Sequence, residues 1–128
     1  MRRRLAAILV LDVVGYTRHV AEAPDATLAW LRRAFREGVR PAVGRAHGRF
    51  VKLTGDGAIV EFPSALAALH AAVEIQRSLR ALPAEGRRID VRAGAHLGDV
   101  FDADGDVFGD TVNLAARLEG VAAPGGVA

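Results

Sequence analysis

Gly48-Arg49-Phe50-Val51-Lys52-Leu53-Thr54-Gly55-Asp56-Gly57, running on into Ala58-Ile59-Val60-Glu61-Phe62, is the stretch that decides the fold. Alternation over 49–54 sets Val51 and Leu53 on one face of a strand and Lys52 and Thr54 on the other. Gly55-Asp56-Gly57 is a hairpin signal, because Asp-Gly accepts positive φ. Residues 58–62 then read as the return strand.

Working outward, residues 5–13 form a continuous apolar run ending in Asp12-Val13, which suits a central strand buried on both faces. Pro24-Asp25 opens a helix with Asp25 as its N-cap; Leu28, Leu31, Phe35 and Val39 give it one apolar face. Pro41 is expected to kink or end that helix. Ser64 caps a second helix through 81, with Leu66, Leu69, Val73, Ile75 and Leu79 inward, and a loop follows over 83–87. Ile89, Val91, Ala93 and Ala95 alternate with Asp90, Arg92, Gly94 and His96, a half-buried strand. Residues 102–105 turn the chain, and a third helix starts near Asp110 with Val112, Leu114, Ala115 and Leu118 apolar. The order β-α-β-β-α-β-β-α predicts an α+β, ferredoxin-like or palm-like sandwich: a mainly antiparallel sheet with helices packed on one face. No internal repeat is visible, and 128 residues fit one domain.

Composition narrows the function classes. With 51% hydrophobic and 25% charged residues the chain is an ordinary globular one. The absence of cysteine excludes disulfides and thiolate metal sites and fits a cytoplasmic location. A pI near 9.9 invites a nucleic-acid reading, but the net charge is only +2 and the basic residues are dispersed without stacking aromatics, so no nucleic-acid partner is expected. Met1-Arg2-Arg3-Arg4 before the apolar run resembles a signal peptide. Asp12 interrupts that run, which is too short to span a bilayer, so a buried first strand and no membrane segment are expected.

Among seventeen basic residues Lys52 is the single lysine, a candidate for a position that needs a compact ammonium. Asp12 and Asp56 end a strand and tip a hairpin expected to be neighbours. Two converging carboxylates repel unless a cation lies between them, and Mg²⁺ takes a few carboxylates while leaving room for phosphate. Taken singly, Asp56 is a common turn aspartate and Asp12 a strand-ending residue. Backbone N–H groups of Gly15-Tyr16-Thr17 could cradle phosphate oxygens, or form a plain strand–helix turn. Asn113 and Arg117, four apart, share a helix face and could serve a ribose oxygen and a charged phosphoryl group; the alternative is a surface amide and a solvated arginine. His19, His47, His70 and His96 lack metal-ligand spacing. Asp99, Asp102 and Asp104 could form a weak cation site but read better as a solvated acidic turn.

Three separated segments, residues 11–17, 48–57 and 107–117, together resemble the class III adenylyl/guanylyl cyclase catalytic domain, a likeness running from about Leu5 to the C-terminus. The resemblance implies that Asp12 and Asp56 hold two Mg²⁺ or Mn²⁺ ions with help from the Val13 carbonyl. It places Gly15, Tyr16 and Thr17 at the triphosphate, Lys52 and Asp106 at the purine, Asn113 at the ribose and Arg117 at the transition state. It also implies a homodimer with shared sites, the aspartates coming from one subunit and the other four residues from its partner. Lys52 as donor and Asp106 as acceptor match the N1 and N6 edge of adenine. Guanine reverses that edge, and each buried mismatch costs on the order of 1–3 kcal/mol. The implied reaction is conversion of ATP to 3′,5′-cyclic AMP and pyrophosphate.

In the family the domain continues past Pro124-Gly125-Gly126 with strands bearing a second lysine, so residues 1–128 are expected to be a catalytic domain short of its C-terminal strands. That shortness favours an alternative, a catalytically inactive cyclase-like regulatory or nucleotide-binding module, which the complete motif set opposes. A basic nucleic-acid-binding domain stands third. A cyclic-dinucleotide synthase is set aside because its Gly-Gly-Asp-Glu-Phe type of hairpin is replaced here by Thr54-Gly55-Asp56-Gly57.

Overall fold

A computed structural model describes residues 2–83 and 88–128. The N-terminal apolar run forms β1 (Arg2–Val13), the middle strand of a five-stranded antiparallel sheet. β2 (Arg49–Leu53) and β3 (Gly57–Phe62) lie to one side of it, β4 (Val91–Ala103) and β5 (Asp106–Phe108) to the other, in the order β2-β3-β1-β4-β5. Three short helices precede β2: α1 (Tyr16–Glu22), α2 (Pro24–Arg33) and α3 (Arg40–Arg45). α4 (Ala65–Ala81) links β3 to β4, and α5 (Asp110–Val121) follows β5. The expected element order is present, with the first helical segment divided. Beyond Pro83, the loop expected over 83–87 lies outside the described residues.

Alternation along β1 builds two cores. Ala7, Leu9, Leu11 and Val13 pack with Trp30, Val43, Phe62 and Ile75 beneath α2–α4. Ala6, Ile8 and Val10 pack with Val100, Val107 and Ala115 beneath α5. The expected single helical layer thus describes α2–α4, while α5 covers the opposite face. A central strand that is apolar at successive positions needs cover on both sides. Ile8 and Leu9 are both fully buried, and each stabilises the fold by about 1.5–3 kcal/mol.

Local chemistry refines the boundaries. α2 is capped by Ala23 without a side-chain bond, and Asp25 sits in the first turn, where its charge suits the helix dipole. Pro41 does not stop the helix. The chain widens into a π-helical segment, Ala34–Val39, and resumes as α3 with Pro41 in the first turn, where a missing N–H is tolerated. Ser64 does cap α4, its Oγ accepting from Ala67 N at 3.0 Å. The buried face of α4 is Ala68, Ala71, Ala72, Ile75, Gln76 and Leu79, and Leu66 and Leu69 are exposed instead. The small alanines bring this helix close to the sheet, and Gln76 Nε2 donates to Val91 O and Gly126 O, both at 2.8 Å.

The hairpin differs from a plain alternating one. A bulge between Phe50 and Lys52 places Lys52 opposite Ile59. Cross-strand partners share a face, and both Val51 and Ile59 pack against the α5-side core. Val51 and Lys52 therefore share a face rather than opposing each other. Nor does the turn use positive φ at Asp56 or Gly57; that conformation belongs to Asp104 and Gly105 in the β4–β5 turn, at 51° and 79°. Gly57 is needed for space, since a Cβ there would lie 2.1 Å from Leu11 O.

Candidate active site

The close approach at Gly57 is what brings the two aspartates together. β1 and β3 pair Asp12 with Gly57, and Val13 N donates to Asp56 O at 2.8 Å, fastening the turn to the end of β1. Thr54 Oγ1 donates to Asp56 Oδ1 at 3.2 Å. Burial, joined by the negative charge of Asp56 and then by Glu119, pushes the Asp12 carboxyl up to about 7. Tyr16 at the start of α1 reaches the same turn, its hydroxyl 3.6 Å from where a Gly55 Cβ would stand. Gly15 takes the left-handed conformation, φ 66°, that lets the chain leave β1 and enter α1 at once. Asp12, Val13, Asp56 and the Gly15–Thr17 loop thus form one neighbourhood.

The donor set fits a hard divalent cation. The charge of Asp56 acts on Asp12, a repulsion that a cation between them would relieve. Among the described residues no group of three or more His, Cys, Asp or Glu side chains is arranged to hold a metal alone. A backbone carbonyl and ligand oxygens would have to complete the shell, the usual arrangement for Mg²⁺ beside phosphates. A cavity of about 560 Å³ borders the pair, lined by Asp12, Thr54 and Asp56 but mostly by apolar groups such as Trp30, Leu31 and Phe35. Its walls do not suit a triphosphate.

The other four predicted residues stand apart from this pair. Asn113 and Arg117 lie on the exposed side of α5. Lys52 is exposed, and no ion pair joins it to Asp106 among the described residues. Asp106 follows directly on the β4–β5 turn, half-buried, with Oδ1 accepting from Val107 N at 2.8 Å. Curling of the sheet brings its two edges, β2 and β5, towards each other, and Val51 and Val107 meet in one apolar cluster. Asp102 is no solvated turn residue: Arg4 Nε and Nη2 donate to its two oxygens at 2.6 and 2.9 Å.

Two residues escaped the sequence reading, Glu119 and Arg92. Glu119 is only 9% exposed, and it adds to the rise of the Asp12 carboxyl. Burial raises its own carboxyl, while the neighbouring Asp12 and the charge of Arg92 oppose that rise. The signal was spacing: Thr111, Ala115 and Glu119 recur every fourth residue and are the buried row of α5. Arg92 pairs across the sheet with Asp12, and its Nε is buried without a hydrogen-bond partner among the described residues.

No protein-family model matches the chain. It is 47% identical over 132 residues to a Rhizobium meliloti protein named "Putative adenylate cyclase 3", a match covering all of this chain and 22% of that protein. An adenylate cyclase of Streptomyces coelicolor is 35% identical over 123 residues, covering 94% of this chain and 30% of its own length. The chain therefore spans less than a third of either curated relative. Among solved structures, an adenylate/guanylate cyclase/hydrolase from Silicibacter pomeroyi superposes with a TM-score of 0.86 at 41% identity, over 99% of this chain and 75% of the other. No helix among the described residues is long and apolar enough to cross a membrane. Fold, paired aspartates and these relatives agree, and the chain belongs to the class III adenylyl/guanylyl cyclase catalytic-domain family.

Proposed function

We propose that residues 1–128 form an adenylate cyclase catalytic domain of a cytoplasmic protein, converting ATP to 3′,5′-cyclic AMP and pyrophosphate at sites shared between two copies of the chain. The observation that carries this reading is the division of the motif residues. Asp12 and Asp56 are drawn together at one end of β1, while Asn113 and Arg117 point outward from α5 with nothing of their own chain to act on. Each chain thus offers two half-sites, and a head-to-tail pair of chains would complete both.

In this reading Asp12, Asp56 and the Val13 carbonyl would hold two Mg²⁺ or Mn²⁺ ions, which would supply acidification of the ribose 3′-hydroxyl and positive charge for the triphosphate. The Gly15–Thr17 backbone steadies the phosphates. From the partner, Asn113 orients the ribose so that its 3′-oxygen lies in line with the α-phosphorus, and Arg117 balances charge building on that phosphoryl group. Lys52 donates to adenine N1 and Asp106 accepts from N6. The Asp106 oxygen already held by Val107 N fixes the carboxylate's orientation, leaving its other oxygen for the base. Asp56 and Lys52, four residues apart on one hairpin, then serve different sites.

The test is a Mn²⁺-dependent assay of cyclic AMP formation, run with ATP and with GTP. Asp56→Ala and Arg117→Ala should each abolish turnover, and a mixture of the two inactive chains should recover part of it. Full activity in Asp56→Ala would remove the metal assignment. Failure of the mixture to recover, with both chains folded and dimeric, would remove the shared sites.

A further inference from the structure

The two residues assigned to the base sit on opposite edges of the sheet. Lys52 follows directly on the bulge of β2, and Asp106 opens the three-residue β5. Among the described residues each of these strands is paired to a single neighbour, so no ladder joins them or fixes the gap between them. α5 covers part of one face. It rests on bare backbone at Gly94 and Gly98, where a Cβ would lie 2.1 Å from Glu119 N and 2.4 Å from Thr111 Oγ1. Arg4, the cross-strand partner of Val100, stands on the same face just beyond the first turn of that helix.

The Arg4 guanidinium engages a carboxylate on each neighbouring strand with all three of its nitrogens. Nε and Nη2 donate to the two oxygens of Asp102 on β4 at 2.6 and 2.9 Å. Nη2 also donates to Glu61 Oε1 on β3 at 2.7 Å, and Nη1 donates to Glu61 Oε2. Glu61 is two residues past Ile59, the cross-strand partner of Lys52, and on the same face. Asp102 is the cross-strand partner of Val107, whose N–H holds the Asp106 carboxylate. One side chain of the middle strand thus grips the support of each base-reading residue.

We propose that Arg4 is a positioning residue for the base: by bridging Glu61 and Asp102 across β1 it sets the gap between Lys52 and Asp106. The inference rests on the assignment of those two residues to adenine. A guanidinium suits the task because its rigid fork meets two carboxylates at once, which a lysine ammonium does not. Without the cation, Glu61 and Asp102 repel each other across β1 and drive the two hairpins apart. Arg4 acts on the base through the strands and touches no substrate.

The experiment is steady-state formation of cyclic AMP and cyclic GMP by the whole chain with Mn²⁺, the folded fraction of each variant being measured by circular dichroism. Arg4→Met should lower the ATP-to-GTP ratio of kcat/KM about tenfold or more, through a higher KM for ATP. A role in stability alone lowers both activities in step with the folded fraction and leaves the ratio unchanged; that result would overturn the proposal. Asp102→Leu cuts the bridge from β4 without leaving two bare carboxylates, so this arm does not require Arg4→Met to fold. It should shift the ratio in the same direction, while Asp102→Asn, which still accepts from Arg4, should stay within about threefold of the parent. Equal ratios in the two Asp102 variants would also overturn it. A parent chain that forms neither product, or whose ratio is unmoved by Lys52→Ala and by Asp106→Ala, would instead remove the base assignment on which the proposal depends.

Discussion

β1 carries a charged side chain near each end of its α5 face, Arg4 and Asp12, and the two ends are built on opposite electrostatic plans. At the Arg4 end a cation lies between carboxylates. The guanidinium bonds Glu61 of β3 and Asp102 of β4, with Arg49 adding a bond to Glu61 at 2.8 Å. The Arg4 hydrogen bonds hold the Glu61 and Asp102 carboxyls below their ordinary range. At the Asp12 end three carboxylates, Asp12, Asp56 and Glu119, crowd together, and Arg92 acts mainly on Glu119. The same strand thus compensates charge where it has only to hold strands in place and leaves it uncompensated where a cationic ligand is expected. A structural ion pair and a functional carboxylate pair are told apart by what already occupies the centre.

The largest way to break this contrast is Asp12→Asn. Turnover should fall by at least about 10³-fold, because a metal-binding and charge-stabilising group is lost. In metal-free buffer at pH 8 the same substitution should raise Tm by a few degrees, since it relieves crowding among the carboxylates. A fall in Tm would mean that the carboxylates stabilise the fold. Next, Arg4→Met should destabilise the chain by about 2–3 kcal/mol in urea unfolding, because Glu61 and Asp102 lose the cation between them. Mn²⁺ binding at the far end of β1 should not change, and a large loss there would show that the ends are not independent.

A smaller effect is expected in the pH dependence. Asp12 titrates near 7 in the folded chain against an ordinary 3.8. The folded state therefore binds more protons than the unfolded state between those values, and stability declines as pH rises through that window. Below it Asp12→Asn and the parent should have similar Tm; above it the variant should be the more stable by on the order of 1 kcal/mol, after allowing for solvent screening. Glu61 has the opposite sign, with stability present above its ordinary range and lost as pH falls. A Tm difference that is flat with pH would show that Asp12 is not strained. The smallest effect should come from Arg49→Gln, whose side chain is 53% exposed. Its loss should cost about 0.5 kcal/mol or less, and a cost above 1 kcal/mol would give Arg49 a share in the compensated centre.

Much of this was legible in the chain. The apolar continuity of 5–13 announced a doubly covered strand, Ser64 announced a cap, and the meeting of Asp12 with Asp56 followed from hairpin logic. What stayed hidden depended on contacts between elements. The bulge at Val51 adds one unpaired residue to an otherwise regular alternation, and no residue type marks it. Gly57 reads as a turn glycine, although its smallness serves Leu11 on another strand. Leu66 and Leu69 look like core positions by hydropathy, but the alanine row packs closer. A glutamate near a helix end is usually solvated, and only the seating of α5 buries Glu119.

That seating also governs how stiffly the outward face of α5 is held. A helix resting on side chains can shift as those side chains change rotamer. α5 does rest on such side chains over Ile8, Val10 and Val100, but at Gly94 its backbone meets the bare strand, where a Cβ would lie 2.1 Å from Glu119 N, so its height there is set by β4 itself. A ligand that reaches Asn113 and Arg117 on the outward side of α5 meets a helix whose height above the sheet is fixed at Gly94 by backbone contact.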